Sequence, residues 1–257
     1  MTNVVDLDQQ PALTQAHQAS GRAAIEIVNL DGSDVRDVER IIAMVWGPQQ
    51  NAPSNLLRGL AHAGNVLLLA RTPNGEPIGF SLGYLGWSEG VHLHSHMTAV
   101  VPGKQSSGVG YALKLWQRSV CLSNAIDEIR WTYDPMIARN AYFNLVKLGA
   151  EVRSFLPDFY TAMTDKINAG DHADRFEVSW KLTSRRVNDA LEQRPIKLQS
   201  ADVLIPGDFE AMRSTDLQAA VAERMRVREL ILTRMQSGEI PDWGTGGYAF
   251  TGAKDSA

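Results

Sequence analysis

Residues 100–110 read Val100-Val101-Pro102-Gly103-Lys104-Gln105-Ser106-Ser107-Gly108-Val109-Gly110. Before them, His92 to Val101 is an apolar run of strand character. After them, Val109, Ala112, Leu113, Trp116 and Val120 recur at helical spacing as far as about Asn124. The stretch is therefore expected to be a Gly/Ser-rich loop between a strand and a helix. The first N–H groups of a helix have no intrahelical acceptor, and the helix dipole favours negative charge there. Glycine and serine let a ligand approach the backbone closely. A phosphate-binding turn is one reading of these residues, and a plain tight turn is the other.

On the upstream side, Val66 to Ala70 and Pro77 to Trp87 read as strands. Thr72-Pro73-Asn74-Gly75 joins them, and Asn-Gly suits a hairpin. Val35, Val38, Ile42 and Val45 predict a helix ending at Gly47-Pro48, and Ser54 to His62 a second. Ile25 to Leu30 is a short first strand. Residues 1–21 are polar and aperiodic, so a flexible N-terminal arm is expected. On the downstream side, Glu128 to Tyr133 is a strand and Ala138 to Leu148 a helix stopped at Gly149. Val152 to Tyr160 and Arg175 to Leu182 are two further strands. Antiparallel hairpins followed by helical crossovers predict an α/β fold with a mixed sheet.

The composition shifts after Leu182. Ser184 to Gln199 is polar, Val203 to Pro206 is a short strand, and Gly247 to Phe250 a last one. Thr215 with Gln218 has the capping-box pattern and opens a helix to about Gln236. Leu217, Val221, Val227 and Ile231 give that helix an apolar side. The plan is thus an arm (1–21), one domain (22–183) and a C-terminal extension (184–257). The extension is expected to pack on the domain or to form a subunit interface, as in a homodimer.

At 257 residues, with 44% apolar and 21% charged, the chain has the composition of a soluble globular protein. A net charge of −4 disfavours nucleic acid as a general partner. No apolar run approaches the roughly 18–20 residues of a membrane span, so no membrane partner is expected. The N-terminus lacks a signal-peptide pattern, and a cytoplasmic protein is the simplest expectation. Cys121 is the single cysteine, which excludes an internal disulfide and a cysteine-based zinc site.

The loop and the element order together resemble the GNAT superfamily of acyl-CoA-dependent N-acyltransferases. The family loop is similar to V-x-P-x-x-[RQ]-x-x-G-x-[GA], matched by Val100, Pro102, Gln105, Gly108 and Gly110. A second family motif, a strand and then a helix ending in L-G-[FA], resembles Arg130 to Pro135 through Ala141 to Leu148-Gly149-Ala150. The phrases His94-Ser95-His96-Met97 and Arg139-Asn140-Ala141-Tyr142 look like a little-characterised branch. The resemblance spans about Ile25 to Leu182 and implies a GNAT fold with a C-terminal helical extension. It also implies acetyl-CoA or another acyl-CoA as co-substrate. The diphosphate would rest on Gln105, Ser106, Ser107, Gly108, Val109 and Gly110, beside Tyr111. The pantetheine arm would pass Val100 and Val101, with Asn140 bonding its amides. Gln105 replaces the commoner Arg and brings no charge, so the loop amides, the dipole and Lys104 must supply the attraction.

Transfer of an acyl group to an amine calls for a base near neutral pH. His92, His94 and His96 alternate along one strand, so a regular strand would turn all three the same way. In resemblance to the arylalkylamine N-acetyltransferases, a His-x-His pair at this offset implies His94 and His96 as bases or as a proton relay. Zinc is the weaker alternative, because His92 and His96 would lie about 13 Å apart by strand rise. No metal is expected. Buried, hydrogen-bonded core histidines are the remaining alternative. Many family members carry an acidic Tyr where this chain has Leu145. Tyr142, three residues earlier, and Tyr133 are the replacements, each equally readable as a core aromatic. Trp46, Tyr84, Trp87 and Trp131 are candidate pocket linings, and Arg58, Arg139 and Arg153 could meet a carboxylate. The resulting expectation is transfer of an acetyl or other short acyl group, succinyl included, to a small-molecule amine or an amino acid. A non-catalytic acyl-CoA sensor and a protein N-terminal acetyltransferase are the alternatives.

Overall fold

Val66-Leu67-Leu68-Leu69-Ala70 has no polar side chain, so a strand built from it must be covered on both faces. In the computed structural model all five residues are buried. The structure describes residues 9–48, 52–160, 171–194 and 197–252. The chain divides into two units, Met1–Arg130 and Trp131–Ala257.

The first unit holds α1 (Gln9–Arg22), β1 (Glu26–Asn29), α2 (Arg36–Trp46), α3 (Ser54–His62), β2 (Val66–Arg71), β3 (Pro77–Gly86), β4 (His92–Val100), α4 (Val109–Ser123) and the first half of β5 (Glu128–Tyr133). The strands lie in the order β1-β2-β3-β4-β5. Neighbours are antiparallel as far as β4. β4 then pairs with β5 in parallel, Leu93 with Ile129 and His94 with Arg130. The sheet is therefore mixed, as expected. Val38, Ile41, Ile42, Leu57, Leu67, Leu69 and Phe80 form its core against α2 and α3. Each such side chain contributes about 1.5–3 kcal/mol by leaving water.

The flexible arm is corrected by the structure, apart from residues 1–8, which lie outside the described residues. Gln9–Arg22 is a helix. Its Ala12, Ala16 and Ala19, at helical spacing, are buried. Small side chains let it sit close on α4, where Trp116 Nε1 donates to Ser20 Oγ at 2.9 Å and Arg118 Nη1 to Gln15 Oε1 at 3.0 Å. The polar composition concealed this narrow alanine stripe.

The second unit holds the rest of β5, α5 (Ala138–Ala141) continuing into a π-helix (Tyr142–Lys147), β6 (Glu151–Leu156), β7 (Arg175–Lys181), α6 (Arg185–Leu191), β8 (Val203–Leu204), α7 (Phe209–Thr215), α8 (Leu217–Gln236), β9 (Ile240–Gly244) and β10 (Gly247–Thr251). Here the strand order is β5-β7-β6, with a separate sheet β8-β10-β9. Residues 184–257 share this unit with 131–183. α8 packs inward through Ala220, Arg224, Val227 and Ile231, while Leu217 is exposed. Its cap is Asp216, whose side chain accepts from Ala219 N, and not Thr215. α6, α7 and β9 were not expected from the sequence. Arg186 of α6 caps the π-helix, donating to Leu145 O and Gly149 O, and pairs with Asp242 of β9. No helix among the described residues is long and apolar enough to cross a membrane.

Candidate functional site

The loop between β4 and α4 is held at its base by Val101 N donating to Ile78 O at 2.9 Å and Lys104 N to Val101 O at 3.1 Å. Gly103, Ser106 and Gly108 take positive φ, +81°, +64° and +89°. Such alternation gathers successive N–H groups into a concave nest that suits an anion. None of the main-chain N–H groups from Gln105 to Tyr111 finds an acceptor among the described residues. The polar side chains of the loop turn back on it. Gln105 Oε1 accepts from Gly103 N at 2.8 Å, and Ser107 Oγ donates to Lys104 O at 2.5 Å. Gln105 to Gly108 are exposed, while Val109, which opens α4, is buried. Val100, Val101 and Gly110 are half-buried at the edge of the loop. Tyr111 is half-buried too. Burial raises its hydroxyl pKa, and the charges of Arg22 and Arg118 pull against that rise.

The histidines do not follow plain alternation. Leu82 pairs with Met97 and Gly83 with Ser95, so His96 is the extra residue of a β-bulge. Bulges re-aim side chains, and this one keeps His96 beside His94, with ring centroids 5.9 Å apart. Tyr84 of β3 completes a triangle, 5.3 Å from His94 and 5.5 Å from His96. Desolvation lowers the His96 pKa below its ordinary value of 6.5. His92 stands apart. It is buried, its Nδ1 lies 3.0 Å from Gly90 O, and its ring fills the space a Cβ on Gly86 would need.

Behind this strand runs a buried polar seam that the sequence did not announce. Lys114 Nζ donates to Ser95 Oγ at 2.9 Å, and Ser95 Oγ to Gln117 Oε1 at 3.0 Å. Gln117 Nε2 donates to Ser81 Oγ at 2.7 Å, which lies 2.8 Å from Thr98 Oγ1. Burial pushes Lys114 down to about 7, and the same burial pushes Cys121 up to about 12, as suits a packing thiol.

In the second unit, Tyr133 is a core aromatic. It is buried, its hydroxyl lies 3.5 Å from that of Tyr248, and desolvation raises its pKa. Tyr142 is 40% exposed and Leu145 is buried, so the two do not point the same way. The reason is the wider π-helical turn, in which Leu148 N reaches back five residues to Phe143 O. Asn140 is exposed at the end of α5. Arg139 pairs with Glu210 and Arg153 with Glu177, so both guanidinium groups already have carboxylate partners. Trp131 is buried with its Nε1 donating to Asn144 Oδ1, whereas Trp87 is 73% exposed. Asp134 forms the expected turn, accepting from Met136 N at 2.9 Å. It also accepts from Arg224, at 2.8 and 3.0 Å, which no local sequence signal announced.

No protein-family model matches the sequence, and no curated protein matches it. Solved structures do. The chain is similar to Naa20 from Chaetomium thermophilum, solved with a bisubstrate analogue, at 13% identity and TM-score 0.51, over 67% of this chain and 92% of that one. It is similar to the ribosomal-protein-S18-alanine N-acetyltransferase from Escherichia coli at 13% identity and TM-score 0.50, over 62% of this chain and 95% of the other. The chain has the fold of the GNAT acetyltransferases.

Proposed function

We propose that this chain is an acyl-CoA-dependent N-acyltransferase that moves an acetyl or other short acyl group, succinyl included, to the amine of a small molecule or an amino acid. The observation that carries the reading is the open row of N–H groups from Gln105 to Tyr111 at the start of α4. Diphosphate oxygens of CoA accept from that row, and Val100 and Val101 lie along the path of the pantetheine arm. The amine nitrogen attacks the thioester carbonyl carbon. His96, with His94 beside it, takes the proton that the nitrogen sheds. Its lowered pKa keeps the imidazole neutral at neutral pH, and so able to accept. The tetrahedral intermediate collapses with loss of the CoA thiolate. That group, with a pKa near ~8.5, departs without a strong acid. Tyr133 is not used, because its hydroxyl is buried.

A second reading is a protein N-terminal amine as acceptor. What supports it is the acceptor in the name of the Escherichia coli neighbour. Acceptor-dependent thiol release from acetyl-CoA and succinyl-CoA, measured over amines, amino acids and short peptides, separates the two. Release with free amines or amino acids is expected, and release with peptides alone favours the second reading. CoA binding with no release under any acceptor would assign a non-catalytic acyl-CoA sensor.

A further inference from the structure

We propose that Arg22, the last residue of α1, binds a phosphate of acyl-CoA beside the loop, supplying the charge that Gln105 lacks. The inference rests on the reading of the loop given above.

Gln105 is neutral, and its carbonyl oxygen is turned onto Gly103 N. Within residues 100–110 Lys104 is the one cation. At Gly108, the end of the loop that opens α4, the neighbour from outside the loop is α1. Ala23 Cβ lies 3.6 Å from where a Cβ on Gly108 would stand, so the end of α1 packs against the residue that opens α4. That end is fixed. Ala23 N donates to Ala19 O and Ile25 N to Ser20 O, Ala24 turns the chain at φ +51°, and Ser20 is tied to Trp116 of α4.

Arg22 is exposed and makes no ion pair or hydrogen bond among the described residues. In this it differs from Arg36, Arg118 and Arg130 of the same unit, each of which is engaged. Its charge is felt at Tyr111, the last residue of the open N–H row. A planar guanidinium with parallel donors suits phosphate oxygens. Placing it on the neighbouring helix leaves the loop amides unobstructed. A cation at a helix C-terminus also suits the dipole, so the test reads ligand binding and not stability.

Binding of CoA to the full chain is measured by calorimetry at low and high salt for wild type, Arg22→Ala, Arg22→Lys and Gly108→Glu. Arg22→Ala is expected to raise Kd about five- to tenfold at low salt, and Arg22→Lys less. The difference should shrink as salt screens the pair. Repeating the series with 3′-dephospho-CoA tells which phosphate is held: an effect that persists assigns the diphosphate, and one that vanishes assigns the 3′-phosphate. If Arg22→Ala binds CoA as wild type does while Gly108→Glu loses it, Arg22 is outside the site and the loop reading stands. If Gly108→Glu also binds normally, the loop reading falls, and this proposal with it.

Discussion

In the first unit the start of α4 leaves its N–H groups from Gln105 to Tyr111 without acceptors, whereas in the second unit the buried charges are matched to one another. Arg224 of α8 is almost wholly buried and holds Asp134 and Asp171 at 2.7–3.1 Å. One turn later Arg228 holds Asp174 at 2.6 Å and Asp158 at 2.9 Å. Burial pulls the Arg224 pKa down, and the hydrogen bonds and charges of the two aspartates more than reverse it. Among the described residues of this unit, the buried Arg213 Nη1 is left without a hydrogen bond, 3.6 Å from Asp171 Oδ2. N–H groups without protein acceptors can still take an anion, which is what the proposed function requires of the loop. Buried ions already paired have nothing left to offer a ligand, and their role is to hold α8 to the ends of β5 and of the β6–β7 connection.

The largest effect should come from breaking the closed side of this comparison. Arg224→Ala leaves Asp171 and Asp134 with only the more distant Arg213, at 3.6 Å, and Arg175, at 3.9 Å, and loss of one partner from such a buried group costs about 3–5 kcal/mol. Urea unfolding should show it. The triple variant Arg224→Met, Asp134→Asn, Asp171→Asn should recover only part of the loss, because Arg213 and Arg175 then lose the carboxylates they face at 3.6 and 3.9 Å. A penalty under about 1 kcal/mol for Arg224→Ala would mean that the cluster is not structural.

The next effect lies between the two extremes, at Lys114. Its amine is buried and bonded to Ser95, yet its folded pKa is about 7, against 10.5 for the ordinary group. Between those values the unfolded chain holds a proton that the folded chain does not. Stability is therefore lost as pH falls from 10.5 towards 7, and is level below that. Lys114→Met should be more stable at pH 7 by roughly 3 kcal/mol, after allowance for the lost hydrogen bond. The pH slope between 7 and 10 should flatten. An unchanged slope would show that the lysine is charged in the folded state.

Much of the architecture could be read from local patterns. The strand at Glu128–Tyr133, the helices after Ser33 and Ser54, and the loop itself all stand where hydrophobic period and turn residues put them. What stayed hidden depends on partners distant in sequence. α1 buries only a narrow stripe of three alanines, its one large apolar side chain, Leu13, being exposed, and packing on α4 makes that stripe a core. Arg224 reads as one of several charges on a helix, and Asp134 and Asp171, 90 and 53 residues away, turn it into a keystone. The loop between β4 and α4, and the nearness of His94 to His96, were legible as local structure. The bulge at His96 was not, because it arises from the register with β3. Nor was the place of Tyr84 between the two rings. Tyr142 and Leu145 were misjudged because an α-helical period was applied to a π-helix.

On the open side of the comparison, His96→Ala should lower kcat/KM about 10²-fold, within the range of a lost general base. CoA affinity should stay within about twofold. In the wild type, kcat/KM should fall more steeply below about 6.5 than protonation of the amine alone requires, since desolvation places the His96 pKa under that value and the protonated ring cannot accept. The same limb should move or vanish in His96→Ala. If it persists unaltered there and in His94→Ala, neither ring is the base.

The smallest effect is expected at Tyr142. It occupies the first position of the π-helix and is 40% exposed, so a substitution disturbs little packing. A thiolate with a pKa near ~8.5 leaves readily at neutral pH, whereas an amine nitrogen with a pKa near ~10 must give up its proton before an amide can form. The demanding proton transfer is thus on the acceptor side, where His94 and His96 act in this mechanism. Tyr142→Phe should accordingly change kcat by less than about threefold. A fall of about 10²-fold would instead make the Tyr142 hydroxyl the acid that protonates the leaving sulfur. The open side would then need a donor as well as the loop and the histidines.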